Sequence, residues 1–194
     1  MTICMPSTWP VLMALFPSCE RAMARTAPQP HRAQRTTLLA VGEGDCEEAF
    51  LKHLRSLYCA NHAGVSVTVR NAHGKGPGNV IGRAIAHMSN RAFDRTLALL
   101  DTDLEWTKKD REAARKKGLV LVGSTPCLEG LLLKTLGRPV PQTSNQCKAA
   151  IAQLLKADLT ETTSYAQHFP KAMLEQARQK HAPELDALLK QFEL

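Results

Sequence analysis

The chain has 194 residues, of which 44% are hydrophobic and 22% are charged, so it is long enough for one soluble α/β domain with an extension. Its formal net charge of +7 suits a polyanionic partner, whereas an aromatic content of only 5% argues against the base-stacking surfaces of single-strand binding proteins. None of the six cysteines forms a Cys-x-x-Cys pair, which argues against a zinc site or a disulfide framework and fits a reducing cytoplasm.

The first 36 residues are the part of the chain where a targeting segment would lie. A short apolar patch, Trp9 to Phe16, is followed rather than preceded by arginines, which argues against a secretory signal peptide. We expect residues 1–36 to be a disordered basic arm, with Met23 as an alternative start. No apolar run reaches the roughly 18 to 20 residues of a membrane span, so no membrane partner is expected.

From residue 37 onwards the hydrophobic pattern alternates between strands and helices. Short apolar or alternating runs predict strands at TLLAV, GVSVTVR, TLALL and LVLVG. Helices are predicted in CEEAFLKHLRSLYCANH, VIGRAIAHMSNRA, KKDREAARKKG and CLEGLLLKTLG. This order predicts a Rossmann-like α/β fold, with a mainly parallel sheet of about four strands that is flanked by helices.

The remaining part of the chain carries helical patterns without intervening strands. Two or three helices are predicted, in NQCKAAIAQLLKA, PKAMLEQARQKH and PELDALLKQFEL. We therefore expect a domain at residues 37–137 and a helical extension at residues 138–194, which packs on the sheet, dimerises or binds substrate.

Acidic side chains follow the first and third predicted strands. Glu43 comes directly after the first strand, and Asp101 and Asp103 come directly after the third. In a parallel sheet these positions lie at the edge where open α/β folds bind ligands. If the chain stays extended, Asp101 and Asp103 share a face, and the acids form an all-oxygen site of the kind that Mg²⁺ or Mn²⁺ prefers. The alternative is that the acids only stabilise helix starts, as we expect for Asp45 as the cap of the first helix.

Three motifs in this order resemble the TOPRIM domain, and most closely the small RloB-like group of bacterial proteins. They are LLAVGEGDCEEAF, LALLDTD and GSTPCLEGLLLK, and the resemblance covers residues 37 to 137. It implies a TOPRIM-like fold. By position it implies that Glu43 is a catalytic general acid or base that also touches the metal, and that Asp101 and Asp103 are catalytic residues that hold Mg²⁺ or Mn²⁺.

Three further acids are candidates for the same edge. Glu129 follows the fourth predicted strand and is a candidate metal ligand, the alternative being a favourable charge at a helix start. The resemblance also implies a second acid after the first strand, which is either Glu47 or Glu48.

Basic residues in two segments are candidates for phosphate contact. His73 and Lys75 lie in the glycine-rich segment NAHGKGPGN, which lacks the spacing of a Walker A motif. Lys108 and Lys109 begin a basic run on a polar helix. The alternative interpretation is a solvated loop and a solvated helix face.

The resemblance implies a Mg²⁺-dependent nuclease that acts on DNA or RNA in bacterial defence, in the cytoplasm. The alternative is a non-catalytic or partner-dependent accessory subunit of an ATPase-containing defence system. A third interpretation is an α/β domain whose acids only cap helices. The chain is too short for a strand-passage topoisomerase, and its cysteines do not form the zinc site of a primase. The oligomeric state stays open, and a dimer is one alternative.

Overall fold

The computed structural model describes residues 35–59 and 64–193, and most of the expected basic arm, including Met23, lies outside them. Its strands β1 to β4 span Thr36–Gly42, Val65–Asn71, Arg95–Asp101 and Val120–Ser124. Its helices α1 to α4 span Asp45–Cys59, Pro77–Asn90, Lys108–Lys117 and Leu128–Thr135. Helices α5 to α8 span Ser144–Leu155, Thr162–His168, Lys171–Lys180 and Pro183–Phe192. None of these helices, within the described ranges, combines the length and the apolar character that a membrane crossing requires.

The described strands form a sheet that is parallel throughout, in the order β2-β1-β3-β4. The prediction of an α/β fold with a parallel sheet flanked by helices is therefore confirmed. Strand β1 pairs with β2 on one side and with β3 on the other, so the chain reverses its direction across the sheet between β1 and β3. Open α/β sheets bind ligands outside the carboxyl ends of their strands at such a switch point, which here lies beside Gly42 and Asp101.

Helices cover both faces of the sheet. Successive residues of a strand point to opposite faces, so each apolar central strand contributes to a core on both sides. Leu38 and Ala40 of β1 belong to a core cluster with residues of α1, α4 and the C-terminal helices. Leu39 and Val41 belong to a second cluster with residues of α2 and α3. Because the side chains on both faces of β1 are fully buried, its sequence is a continuous apolar run and not an alternating one.

Residues 138–193 fold into four helices, where the sequence predicted two or three. The additional helix is α6, whose sequence TTSYAQH lacks an apolar repeat and begins with β-branched residues. It is held by Tyr165, which is fully buried, packs against the rings of Phe50 and Phe169, and donates a hydrogen bond to the carbonyl oxygen of Cys46 at 3.1 Å. The C-terminal helices thus share one core cluster with α1 and α4.

Candidate active-site cleft

A cleft of about 310 Å³ opens at the carboxyl edge of the sheet, at the switch point between β1 and β3. Its lining comes from the β1–α1 turn, the end of β3, the start of α4, and α5 with the loop after it. The lining residues are Glu43, Gly44, Asp45, Cys46, Glu47, Asp101, Glu129, Lys148 and Thr160. Of the predicted site residues, the structure therefore brings together Glu43, Asp101, Glu129 and one of the two candidates for a second acid.

The first turn of α1 lies directly against the end of β1, which places Glu47 beside Glu43. A Cβ atom added at Gly42 would lie 2.7 Å from the Cβ of Glu47 and 2.9 Å from the backbone nitrogen of Glu48, so this approach requires glycine. The Oε2 atom of Glu47 accepts a hydrogen bond from the backbone N–H of Gly44 at 2.9 Å. Glu47 thus satisfies a donor at the start of the helix while it lines the cleft.

Two acids of the same turn have other partners. Asp45, which the sequence predicts as a cap, is instead the first residue of α1, and its Oδ1 accepts a hydrogen bond from Nδ2 of Asn71 at 2.6 Å. Glu48 forms an ion pair with Lys52 at 2.9 Å, one turn further along the helix. Glu47 is therefore the second acid that the structure places in the cleft.

The carboxylate of Asp101, the last residue of β3, is tied to neighbouring elements. Its Oδ1 accepts hydrogen bonds from the backbone N–H of Leu128 at 3.0 Å and from the hydroxyl of Ser124 at 3.1 Å. Leu128 begins α4, so this carboxylate satisfies one of the N-terminal donors of that helix. Asp101 therefore has the helix-capping role that the alternative interpretation predicted, and it lines the cleft as well.

Two acids of the cleft, Asp101 and Glu47, have raised pKa values. Burial is the main reason why the pKa of Asp101 rises from 3.8 to about 7, and the negative charge of Glu47 is the next cause. Glu43 and Glu129 add to that rise, while the hydrogen bond from Ser124 opposes it. Burial is also the main cause that raises the pKa of Glu47, which is 7% exposed. With a pKa of about 7, Asp101 holds a proton part of the time near neutral pH unless a cation compensates its charge.

Lys148 of α5 brings a positive charge to the same cleft. The charge of Glu129 is the main cause that raises the pKa of Lys148, and Asp101 and Glu47 contribute. Even so, Lys148 forms no ion pair within the part of the chain that the structure describes. Its ammonium group therefore acts on the carboxylates at a distance and not in contact with one of them.

Asp103 lies outside the cleft, contrary to the expectation that it shares a face with Asp101. Strand β3 ends at Asp101, and the N–H groups of Thr102 and Asp103 both donate to the carbonyl oxygen of Pro126 at 3.0 Å. The alternation of side chains holds only in an extended strand, so it does not apply to these two residues. The Oδ2 of Asp103 instead accepts a hydrogen bond from the hydroxyl of Ser144 at 2.7 Å, and Asp103 lines a neighbouring cavity of about 540 Å³.

The basic residues predicted to contact phosphate lie on exposed segments outside the cleft lining. His73 and Lys75 have positive φ angles of 57° and 71° in the loop between β2 and α2. The N–H of Gly74 in that loop donates to the carbonyl oxygen of Glu43 at 2.8 Å, which ties the loop to the end of β1. Exposed residues Lys108 and Lys109 begin α3. Phosphate contact by any of these side chains stays a prediction.

The contribution of α5 to the cleft is the part that the sequence did not reveal. Lys148 and Thr160 line the cleft, and Ser144 holds Asp103, yet these residues lie in the extension whose role was left open. Their approach results from the packing of α5 against α4, and no motif in the sequence signals it.

The chemistry of the lining fits a hard divalent cation, because carboxylate oxygens are the ligands that Mg²⁺ and Mn²⁺ prefer. Burial raises the pKa of Cys46 to about 12, so this residue is a neutral thiol when no metal is bound. Among the described residues, no three His, Cys, Asp or Glu side chains are grouped closely enough to hold a metal ion by themselves. A cation here would be held by one or two carboxylates together with water and substrate oxygens, as is usual for Mg²⁺.

Comparison of the chain with protein-family models, with curated proteins and with solved structures finds no match. The function must therefore be inferred from the geometry and chemistry of the cleft.

Proposed function

We propose that the chain is a Mg²⁺- or Mn²⁺-dependent nuclease of the TOPRIM type, which hydrolyses phosphodiester bonds in DNA or RNA. The observation that carries this proposal is the crowding of Glu43, Glu47, Asp101 and Glu129 around one cleft at the switch point of the sheet. Partly buried carboxylates without compensating ion pairs reduce stability, so their concentration at a ligand-binding edge favours a function that uses a cation. With the resemblance to RloB-like proteins, we further propose a cytoplasmic role in bacterial defence.

We assign proton transfer to Glu43 and cation binding to Asp101 and Glu129. The Oε2 of Glu43 accepts a long hydrogen bond of 3.4 Å from the N–H of Asp101, which holds it at the junction of β1 and β3. From that position Glu43 can take a proton from the attacking water or deliver one to the leaving oxygen. A bound divalent cation supplies charge that neutralises the phosphoryl group and lowers the pKa of a water molecule.

The net charge of +7 supports attraction of a nucleic acid to the protein as a whole. Within that proposal, Lys108 and Lys109 at the start of α3 and His73 and Lys75 in the β2–α2 loop are the exposed groups that would contact phosphates outside the cleft. Such contacts lose affinity as salt rises, because binding releases counterions.

The position of Asp103 favours a second candidate function. Its carboxylate is held by Ser144 and lies outside the cleft, so Asp101 and Asp103 line different cavities. A chain in which a partner must move Asp103 before the site is complete would be a partner-dependent subunit. We therefore keep, as the alternative, an accessory or scaffold subunit of an ATPase-containing defence system.

The first experiment is a calorimetric titration with Mn²⁺ of the wild type and of the variants Asp101→Asn, Asp103→Asn and Glu112→Gln. Asparagine at position 101 keeps an oxygen for the hydrogen bonds from Leu128 and Ser124, so the variant should fold. Glu112 lies exposed on α3 and is the matched control for loss of one carboxylate charge. Circular dichroism checks the folding of each protein, and cleavage is then assayed on single-stranded and double-stranded DNA and RNA.

We expect the wild type and Glu112→Gln to bind Mn²⁺ and to cleave, and Asp101→Asn to lose both properties while staying folded. Unchanged binding in Asp103→Asn would agree with its position outside the cleft, whereas lost binding would mean that Asp103 moves in when the cation binds. If the folded wild type binds no Mn²⁺ with or without nucleic acid, the nuclease proposal fails. Binding without cleavage by the chain alone would favour the partner-dependent subunit.

A further inference from the structure

Lys148 is held at the cleft by the packing of α5. The preceding residue, Cys147, is fully buried, and Ile151, one turn further along, is 2% exposed. Both belong to the core cluster that includes α4, the helix that carries Glu129. The backbone at Lys148 is therefore fixed relative to the acids, although its own side chain is solvent-exposed and reaches into the cleft.

A positively charged side chain at this position offsets the repulsion between the acidic cleft and the substrate phosphate in the proposed reaction. The cleft is lined by the carboxylates of Glu43, Glu47, Asp101 and Glu129, which repel a phosphate group. Lys148 is the basic residue among the residues that line it. A lysine ammonium group is a compact, mobile charge with three donors, which suits contact with one phosphate oxygen.

We propose that Lys148 binds a non-bridging oxygen of the substrate phosphate, from the α5 side of the cleft, and so orients the phosphodiester against the carboxylates. This assignment rests on the nuclease function proposed above and adds the residue that attracts the anionic group. It makes α5, which lies outside the segment with the TOPRIM-like motifs, a part of the substrate site.

The competing explanation is that Lys148 only neutralises the acids. A lysine with that role is expected to contact a carboxylate, as Lys134 does with Glu184 at 2.9 Å and Lys52 does with Glu48 at 2.9 Å. Lys148 lines the same cleft as the acids but forms no such pair among the residues described, so its donors are available to a third group.

The test uses inorganic phosphate as the probe and the full chain as the protein. Phosphate is titrated calorimetrically in the presence of saturating Mn²⁺ into the wild type, Lys148→Gln, Lys148→Arg and Lys180→Gln, and Mn²⁺ is titrated into each protein separately. Lys180 lies exposed at the end of α7 and is the control for loss of one positive charge in the extension. Circular dichroism and denaturant unfolding check that each variant is folded.

Lys148→Gln should weaken phosphate binding about tenfold, as expected when one charge-assisted hydrogen bond is lost. Its Mn²⁺ affinity should stay the same or increase, because a positive charge near the acids has been removed. Lys148→Arg should recover most of the phosphate affinity, and Lys180→Gln should match the wild type. A residue that only neutralises the acids would produce the change in Mn²⁺ affinity without the change in phosphate affinity.

The two proposals fail in different ways. If the folded wild type binds no Mn²⁺, the nuclease proposal is overturned, and the assignment of Lys148 loses its basis. If the wild type binds Mn²⁺ but Lys148→Gln keeps wild-type phosphate affinity, or if the wild type binds no phosphate, the assignment of Lys148 alone is overturned.

Discussion

Replacing Asp101 by asparagine tests whether the cleft holds uncompensated negative charge. The substitution removes one carboxylate from a site that also contains Glu43, Glu47, Glu129 and, as the opposing charge, Lys148. Burial raises the pKa of Asp101 from 3.8 to about 7. Because the folded-state pKa is higher than the unfolded one, the favourable contribution of the protonated group is complete below the unfolded value and is lost as the pH rises through the folded value.

The size of the effect follows from the same pKa values. Each pKa unit corresponds to about 1.4 kcal/mol. The difference between 3.8 and about 7 would therefore lower the free energy of unfolding of the wild type by about 4 kcal/mol above neutral pH, relative to its value at acidic pH. Asp101 is only partly buried, so solvent screens part of this cost. An amide also accepts weaker hydrogen bonds from Leu128 and Ser124 than a carboxylate does. We therefore expect Asp101→Asn to raise the free energy of unfolding by about 2 kcal/mol at about pH 8 and by less than about 0.5 kcal/mol at about pH 4.

The assay is urea unfolding followed by circular dichroism, without divalent cations, across this pH range. Glu112→Gln is the control, because an exposed surface substitution is expected to change stability by less than about 0.5 kcal/mol. Added Mn²⁺ should stabilise the wild type and not Asp101→Asn. If Asp101→Asn is less stable than the wild type at about pH 8, the carboxylate acts mainly as a stabilising cap of α4, and the inference of uncompensated charge is wrong.

Three further substitutions test other features of the fold by denaturant unfolding. Gly42→Ala should lose about 1 to 3 kcal/mol, because its Cβ would overlap with Glu47; unchanged stability would contradict the close packing of α1 on β1. Lys75→Gly should gain up to about 1 kcal/mol, because glycine adopts the positive φ angle of 71° without strain; a loss would contradict that conformation. His53→Gln should keep a donor for the carbonyl of Phe169 and remove a group whose pKa burial lowers below 6.5. Its stability relative to the wild type should therefore improve as the pH falls below 6.5, and a constant difference would refute this.

The sequence predicted the sheet and its flanking helices because apolar periodicity depends on local chain geometry. The run from Leu38 to Val41 is apolar throughout because both faces of β1 are covered, and such a run between turn residues indicates a buried strand. The position of Glu43 and Asp101 at one edge followed from the parallel order of the strands alone.

The positions of Asp103, Glu47 and Lys148 depend on structural features that a local hydrophobic pattern does not reveal. The prediction that Asp103 lies beside Asp101 depends on an extended chain, and β3 ends at Asp101, two residues before Asp103. The choice between Glu47 and Glu48 depended on the residue at which α1 begins, and element boundaries are the least reliable part of a sequence-based prediction. Lys148 reaches the cleft through the packing of helices far from the acidic motifs, which no periodicity in its own segment reveals.

The C-terminal helices share a hydrophobic core with the sheet, which limits the truncations and substitutions that the protein tolerates. A fragment that ends at residue 137 would expose the apolar surfaces of α1 and α4 that pack against the C-terminal helices, so we do not expect it to fold independently. Substitutions that loosen α5 would alter both the cohesion of the core and the charge of the cleft through Lys148. Selection for a stable chain would therefore also preserve the geometry of the cleft, and we expect fold stability and cleft geometry to evolve together.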